Sequence, residues 1–340
     1  MDRVLHTATR SRSGPVPTEV RAIDLHKLAA LINCSVDDLA IGVRNATNTP
    51  SAGSQVAAPS EWVTFAAQET VHFTAPDPPG ITIALLSLAS RPGVLDSADT
   101  PKCLIQLGSQ PVIGHVLTQL FAGGIRRIVI VLGAHGHILR PAILALPIAS
   151  RLHISFSDLG HMYNGGFARS LLAAAASIGT DPFLLATSDH IFHAEIVRDM
   201  RTALVANSSL LAVALVEMDG RSREASLPPT AVRVIFDESS RLVSRIGRQV
   251  QRPTGIEAGL YACTASVFAS LTSLLAKQAY FTVSQAMQLL AADARLGAAL
   301  TNGRAWFAIE TQSQFDSTVR DTLHAGREAF PWQVSIARAE

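Results

Sequence analysis

An apolar stretch at residues 183–187 ends directly on Ser188, Asp189 and His190. An apolar run of this length is typical of a buried parallel strand, and in open α/β sheets the ligand crevice lies just outside the carboxyl ends of the strands. A carboxylate at that place could hold a divalent cation, because hard cations such as Mg²⁺ take oxygen ligands. Ser and Asp are also common turn residues, so a strand-end turn without chemistry is the alternative for this stretch taken alone.

The composition excludes several classes of protein. The 340 residues are 48% hydrophobic and 16% charged, and the net charge of +1 gives no reason to expect a nucleic-acid partner. No uninterrupted apolar stretch reaches the roughly 18–20 residues that span a bilayer, so we expect no membrane partner, and the N-terminus lacks the apolar core of a secretory signal. Cys34, Cys103 and Cys263 show neither metal nor disulfide spacing, which makes a reducing cytoplasm the expected location.

The composition also divides the chain. We expect a disordered polar tail over residues 1–18 and a small N-terminal extension with a linker over residues 19–75. The main domain is expected over residues 80–328 and a C-terminal tail over residues 329–340. Residues 24–44 have helical spacing, whereas residues 45–60 are rich in Asn, Thr, Ser, Gly and Pro. The helical part could belong to a helix-turn-helix reader of DNA, but a packing appendage is favoured because no basic recognition face follows.

From residue 81 onward, strand patterns alternate with helix patterns. Strands are predicted at residues 81–86, 127–133, 152–156, 183–187 and 210–217, and helices at 111–122 and 170–178. Two further apolar runs, at 231–236 and 242–246, flank a turn and predict a β-hairpin inserted in or beside the main sheet. The alternation is typical of an α/β fold with a mixed, mostly parallel sheet flanked by helices.

Several short motifs follow one another in a fixed order. They are Leu88-Ala89-Ser90, residues 100–104, residues 124–133, Asn164-Gly165, and residues 188–192, 231–234, 246–248, 256–261 and 306–311. In order and spacing this series resembles the nucleotidyltransferases of the sugar-phosphate type, and among them most closely the inositol-1-phosphate cytidylyltransferases. The resemblance covers about residues 81–323, and it implies a Rossmann-like nucleotidyltransferase domain for residues 80–328.

The resemblance implies a Mg²⁺-dependent enzyme with two small-molecule substrates. It would join a nucleoside triphosphate, CTP as the first expectation, to a phosphorylated cyclitol, polyol or sugar such as inositol 1-phosphate, and release pyrophosphate. The substrate phosphate oxygen would attack the α-phosphorus in line, so catalysis would consist mostly of alignment and charge neutralisation. The base and the alcohol remain open at this point, and so does a homodimer.

Catalysis of this kind needs a metal between carboxylates and cations aimed at the triphosphate, which implies catalytic roles for Lys102 and Asp189. Asp189 is the first expected metal ligand. Glu310, which stands where the family has Asp, is the second, with a solvated helix N-terminal region as its alternative. Lys102 would neutralise the α-phosphate. Only three of the 28 basic residues are lysines, and a compact ammonium is not interchangeable with a guanidinium, so we favour this role over an ordinary surface lysine.

The remaining roles also come from the resemblance. Nucleotide contacts are expected from Leu88, Ala89, Ser90, Arg91, Gly93, Lys102, Asn164, Gly165 and Ser170. Arg233 and Arg248 fall where the resembling enzymes carry lysines that hold the substrate phosphate, and an exposed hairpin charge is their alternative. Glu257 matches an Asp that contacts polyol hydroxyls, and Gly259 would let the backbone approach the substrate. His190 is placed in the substrate pocket, where we expect it to support Asp189 through a hydrogen bond rather than to act as a base.

Two departures from the family pattern support a different hypothesis. Residues 91–95 read Arg-Pro-Gly-Val-Leu where the family has Gly-x-Gly-x-Arg, and Ala308 stands where the family has a further Asp. Pro92 removes a backbone donor from the phosphate loop, and Leu95 replaces the signature arginine. An active enzyme is favoured. The alternative is a non-catalytic binding or regulatory module with a degraded phosphate loop.

Overall fold

The computed structural model describes residues 80–89, 95–96, 100–163, 165–205, 207–218, 230–278 and 280–324. The predicted tail at 1–18, the extension and linker at 19–75 and the C-terminal tail at 329–340 lie outside the described residues. The domain boundaries of the chain therefore stay predictions.

The described residues contain the following strands: β1 (Ile83–Ser87), β2 (Gln106–Leu107), β3 (Gln110–Pro111), β4 (Arg127–Leu132), β5 (His153–Asp158), β6 (Phe183–Ala186), β7 (His190–Phe192), β8 (Ala212–Glu217), β9 (Arg233–Phe236), β10 (Val243–Gly247), β11 (Gly255–Cys263), β12 (Leu296–Leu300) and β13 (Trp306–Ala308). The α-helices are α1 (Val112–Ala122), α2 (Gly136–Leu144), α3 (Phe167–Ser170), α4 (Ala175–Ile178), α5 (Ala194–Thr202), α6 (Ser266–Leu275), α7 (Val283–Ala292) and α8 (Gln312–His324). Among these helices, none combines the length and the apolar character needed to cross a membrane.

The central sheet is mixed and mostly parallel, which confirms the predicted fold class. β5, β4, β1 and β6 lie side by side in parallel; β11 pairs antiparallel with β6 on one edge and β8 on the other, and β12 pairs in parallel with β8. In β1, Ile83 and Leu85 pack on one face and Ala84 and Leu86 on the other, because successive side chains of a strand point to opposite faces. Burial on both faces explains why these strands are continuous apolar runs in the sequence.

Helices supply the apolar residues that cover the sheet. Side chains of α1, α2 and α5 belong to one core cluster, and side chains of α3, α6 and α7 belong to the other. Since β1 contributes to both clusters, the two sets of helices cover opposite faces of the sheet. This leaves the carboxyl ends of the parallel strands as an edge where a site can form.

The predicted hairpin forms beside the main sheet. β9 and β10 pair antiparallel, and β9 joins the sheet through the first two residues of β11. The turn is held by Asp237, whose Oδ1 accepts hydrogen bonds from the backbone N–H groups of Ser239 at 3.1 Å and Ser240 at 2.7 Å. This use of an Asp side chain to mimic a backbone turn is common in hairpins.

The helix predicted at residues 170–178 is interrupted. The chain forms α3, a 3₁₀ turn at Leu171–Ala174 and then α4. Ser170 gives a physical reason, because its hydroxyl donates to the Phe167 carbonyl at 2.6 Å. A serine hydroxyl bonded back to the preceding turn competes with the helical backbone hydrogen bonds.

Candidate active site

Asp189 lies at the carboxyl end of the buried strand β6, as the sequence predicts. β6 ends at Ala186, and the Thr187 N–H donates to the Gly259 carbonyl of β11 at 3.2 Å. The chain then delivers Asp189 into a buried position with 7% of its surface exposed. The carboxylate therefore stands at the edge of the sheet where ligands bind in open α/β folds.

Glu310 reaches Asp189 through a small two-stranded sheet. β7 and β13 pair antiparallel with Ala308 opposite His190, and the Ile309 N–H donates to the Asp189 carbonyl at 2.9 Å. Glu310 then follows, two residues before the start of α8, and its backbone N–H donates to Gln314 Oε1 at 3.1 Å. Glu310 thus sits at a helix N-terminal region and beside Asp189, and its role as a metal ligand stays a prediction.

Lys102 forms an ion pair with Asp189. The Lys102 ammonium contacts Asp189 Oδ2, and the two side chains expose 18% and 10% of their surface respectively. The Lys102 backbone N–H donates to Asp96 Oδ1 at 2.7 Å, which holds the start of the 3₁₀ turn at Lys102–Leu104. Burial disfavours the charged ammonium, but the Asp189 carboxylate outweighs burial, so the pKa of Lys102 lies above its ordinary value. Lys102 is therefore a fixed positive charge in this cleft.

The second oxygen of the Asp189 carboxylate, Oδ1, is hydrogen-bonded to His190. Its Nδ1 lies 2.9 Å from Asp189 Oδ1, and since a carboxylate can only accept, the imidazole N–H donates. Burial alone would raise the pKa of Asp189, but the His190 hydrogen bond and the Lys102 charge together hold it well below its ordinary value. For His190, burial opposes the charged form, and the hydrogen bond to Asp189 reverses this and raises the pKa of the imidazole.

The donor set fits a divalent cation. Asp189, His190 and Glu310 each offer one ligand atom, and these atoms all lie within 4.8 Å of one another. Two carboxylates and an imidazole are ligand types that divalent metals accept in proteins. The sequence analysis expected Asp189 and Glu310 at such a site and assigned His190 to the support of Asp189. The structure brings all three together.

These groups stand in a cavity of about 990 Å³. The residues expected from the sequence that line it are Lys102, Asp189, His190, Arg248, Glu257, Gly259 and Glu310. Gly259 has a positive φ of +84°, and a Cβ there would lie 2.8 Å from both His190 Cδ2 and Thr187 Oγ1. The space that Gly259 leaves is thus occupied by the His190 ring, and substitution would displace that ring.

Other expected contact residues do not line the cavity. Leu88 and Ala89 are buried among core side chains, and Gly165 lies against Tyr163. Ser170 is fully buried, and its hydroxyl lies 2.5 Å from Oγ of Ser87, a residue of β1 that does line the cavity. The Arg233 guanidinium donates to the Arg248 carbonyl at 2.8 Å. Ser90, Arg91, Gly93 and Asn164 lie outside the described residues.

The two departures from the family pattern have clear structural positions. Leu95 packs against the main core cluster, so the residue that replaces the signature arginine makes an apolar contact. Ala308 lies in β13 opposite His190 and lines the cavity. The imidazole of His190 therefore stands beside the position where the family has its further carboxylate.

The sequence analysis missed several lining residues, among them Glu217, Thr230 and Trp306. Thr230 Oγ1 donates to Glu310 Oε2 at 3.0 Å, and Glu217 Oε2 accepts from Trp306 Nε1 at 3.3 Å. Glu217 is the last residue of the buried strand β8, so the sequence shows a carboxylate at a strand end, but no local pattern points to its partners Thr301 and Trp306. For Thr230, no local pattern marks the residue.

Glu257 gives the site a testable pH dependence. Burial raises the pKa of the Glu257 carboxyl to about 7, and nearby Glu310 adds to this, while His190 and the Gly259 N–H oppose it. Between the pKa of Glu257 in the unfolded chain and pH 7, the native state binds more protons than the unfolded state does. The free energy of unfolding therefore falls as the pH rises through this range, by up to roughly 3 kcal/mol from this group. We expect Glu257→Gln to remove this slope in urea unfolding at pH 5, 6, 7 and 8. An exposed control, Glu238→Gln, should keep the wild-type slope, and an unchanged slope in Glu257→Gln would refute the assignment.

Comparison with known proteins agrees with the geometry. The family model described as the MobA-like NTP transferase domain matches residues 88–301. No curated protein matches the chain.

Several solved structures share this fold. The inositol-1-phosphate CTP transferase from T. maritima superposes with a TM-score of 0.58 at 16% identity, covering 74% of this chain and 98% of that chain. A UDP-glucose pyrophosphorylase complexed with UDP-glucose superposes with a TM-score of 0.59 at 15% identity, covering 72% of this chain and 99% of that chain. A putative glucose-1-phosphate thymidylyltransferase from Bacillus anthracis superposes with a TM-score of 0.57 at 18% identity, covering 72% of this chain and 96% of that chain.

At these identities the solved structures establish the fold, and the family match establishes the class of enzyme. The expected resemblance to nucleotidyltransferases of the sugar-phosphate type is confirmed. Because the matching family model covers more than half of the chain, the protein belongs to the MobA-like NTP transferase family and is a nucleotidyltransferase.

Proposed function

We propose that the protein is a Mg²⁺-dependent nucleotidyltransferase that joins a nucleoside triphosphate, CTP first, to a phosphorylated cyclitol, polyol or sugar such as inositol 1-phosphate. One observation carries the proposal: an ammonium and two carboxylates from distant parts of the chain, Lys102, Asp189 and Glu310, converge in one cavity. A triphosphate carries several negative charges, and this is the combination of a metal site and a fixed cation that would neutralise them.

The reaction requires little covalent work from the protein. An oxygen of the acceptor phosphate forms a bond to the α-phosphorus, the bond from the α-phosphorus to the bridging β-phosphate oxygen breaks, and pyrophosphate leaves with that electron pair. Asp189 and Glu310 would hold a bound Mg²⁺, which supplies charge neutralisation and alignment of the triphosphate. The Lys102 ammonium would move from Asp189 to the α-phosphate. His190 would keep the Asp189 carboxylate in one orientation.

The acceptor side of the cavity supports a small phosphorylated alcohol. Arg248 contributes a guanidinium, which matches phosphate oxygens with two parallel N–H donors. The fold shared with the inositol-1-phosphate CTP transferase from T. maritima supports inositol 1-phosphate as the first acceptor to test. Glu257 lines the same wall, where its carboxylate accepts from the Gly259 N–H.

The test is a matrix of purified protein with each of CTP, UTP, GTP, ATP and dTTP against inositol 1-phosphate, glucose 1-phosphate and related polyol phosphates. Pyrophosphate release is followed with Mg²⁺ and with EDTA. We expect release with CTP and inositol 1-phosphate that depends on both substrates and stops with EDTA. Binding of an acceptor without triphosphate binding or turnover in any combination would refute the enzyme and favour the non-catalytic module.

Arg248 allows a specific prediction about the acceptor. Arg248→Ala should raise the KM for the acceptor phosphate roughly 10- to 100-fold, because a hydrogen bond to a charged group is worth about 1.5–3 kcal/mol, and should leave the KM for the triphosphate within about twofold. Arg245→Ala is the matched control, since Arg245 is an exposed arginine of β10, three residues before Arg248, and does not line the cavity. Equal effects of the two substitutions would show that Arg248 contributes only general surface charge.

A further inference from the structure

A continuous set of contacts leads from the edge of the sheet to the Asp189 carboxylate. Glu217, the last residue of β8, accepts hydrogen bonds at Oε2 from Thr301 Oγ1 at 2.7 Å and from Trp306 Nε1 at 3.3 Å. The Trp306 ring stacks on the His190 ring with centroids 5.8 Å apart and 6° between the planes. His190 Nδ1 in turn lies 2.9 Å from Asp189 Oδ1.

We propose that Glu217 is a positioning residue for nucleotidyl transfer, acting through Trp306 and His190 on the Asp189 carboxylate. The proposal rests on the proposed function for the role of Asp189. Glu217 has no position in the family motifs that the sequence carries, and its role follows from the hydrogen bonds and the ring stacking alone.

The need for Glu217 follows from the nature of ring stacking. Stacking alone does not fix the rotation of a ring within its own plane, since aromatic pairs stack with offset rings at centroid separations of about 4.5–7 Å. An indole has one donor and no acceptor, so the hydrogen bond from Trp306 Nε1 to Glu217 fixes the rotation of the indole in that plane. A fixed indole face then restricts the His190 ring, whose Nδ1 must face Asp189.

Glu217 itself is well anchored. Thr301, its other partner, exposes 1% of its surface, and its backbone N–H donates to the Val216 carbonyl of β8 at 3.1 Å. β8 and β12 pair in register next to this point. Glu217 Oε2 therefore connects the paired strands β8 and β12 to the Trp306 indole, and through the indole to the His190 ring.

The size of the effect can be bounded. Partners that orient a metal ligand typically contribute 10- to 100-fold to metal affinity or activity. Glu217 lies one contact further from the metal ligands than such a partner, so we expect its loss to lower metal affinity and activity by roughly 3- to 10-fold each.

The experiment compares Glu217→Ala, Glu217→Gln and Trp306→Phe with the wild type. Glu217→Ala removes the acceptor and should lower kcat roughly tenfold, with the KM values for both substrates within about twofold of the wild type. It should also weaken the binding of Mn²⁺ alone by roughly 3- to 10-fold, as measured by electron paramagnetic resonance. Glu217→Gln keeps a carbonyl acceptor for the indole and should recover both quantities to within about threefold. Trp306→Phe keeps an aromatic face but no donor, and should reproduce the losses of Glu217→Ala.

The double variant Glu217→Ala/Trp306→Phe should be no worse than either single variant, because both substitutions interrupt the same path. Unfolding midpoints are measured alongside. Should Glu217→Ala fail to fold, the pair Glu217→Gln and Trp306→Phe decides the question, since wild-type Mn²⁺ binding in Trp306→Phe would overturn the proposal.

Three further results would also overturn it. A higher acceptor KM with unchanged kcat in Glu217→Ala would mean that Glu217 contacts the acceptor directly. Equal losses in Glu217→Gln and Glu217→Ala would mean that its charge matters and its hydrogen bond does not. Additive losses in the double variant would mean that the two residues act separately. Absence of turnover with every substrate pair would refute the proposed function, whereas the Mn²⁺ series would still decide this inference.

Discussion

Asp189→Asn is expected to lower kcat by roughly 10³-fold or more, since it removes the buried charge that would hold the metal while it keeps the volume of the side chain. Asp189 is the common partner of Lys102 and His190, with Oδ2 on the Lys102 ammonium and Oδ1 on the His190 imidazole. Binding of Mn²⁺ measured by electron paramagnetic resonance should be lost together with pyrophosphate release. Asparagine keeps an oxygen that can still accept from His190, so the loss would come from the charge.

Asp181→Asn provides the matched control for charge removal. Asp181 is an exposed aspartate whose carboxylate lies 3.6 Å from Arg127, a surface ion pair, and such pairs contribute about 0–1 kcal/mol to stability. Its substitution should leave turnover and Mn²⁺ binding within about twofold. Turnover in Asp189→Asn that matches this control would remove Asp189 from the metal site.

Lys102→Met is expected to lower kcat roughly 10²- to 10³-fold, because it removes the ammonium that would neutralise charge at the α-phosphate. Lys102→Arg should recover little of this loss, since a planar guanidinium does not replace a compact ammonium. Mn²⁺ without nucleotide should bind Lys102→Met at least as tightly as the wild type. The reason is that the ammonium contacts Asp189 Oδ2 and competes there with the cation.

Lys277→Met is the control for Lys102→Met, because Lys277 is an exposed lysine outside the cavity. It should behave as the wild type in both assays. Weaker Mn²⁺ binding in Lys102→Met would show that the ammonium supports the metal site instead of competing with it. Unchanged turnover in Lys102→Met would remove Lys102 from the chemistry.

The strands of the central sheet could be predicted from the sequence because most of them are buried on both faces. Residues 183–186 and 128–132 are apolar without interruption, and the structure has β6 and β4 there. The hairpin was readable for a different reason, since two apolar runs flank a turn rich in Asp and Ser. What the local pattern could not show was β13, whose three residues form a strand only by pairing with β7.

The same limit applies to the site. Asp189 could be placed from its own strand, whereas Glu310 came only from the resemblance, because its approach to Asp189 depends on the pairing of β7 with β13. The nucleotide contact of Ser170 stays a prediction, and a sequence cannot show that its hydroxyl lies 2.5 Å from Ser87 Oγ. Glu217 was missed because hydrogen bonds between side chains of separate strands have no signature in the chain.

A crystal structure of the protein with CTP and Mg²⁺ would test the central claim most directly, the claim that Lys102, Asp189 and Glu310 together receive a metal-bound triphosphate. The expected result is one ion coordinated by oxygens of Asp189 and Glu310, with the Lys102 ammonium moved from Asp189 to the α-phosphate. An ion held by other residues, or a triphosphate bound away from Lys102, would contradict the claim.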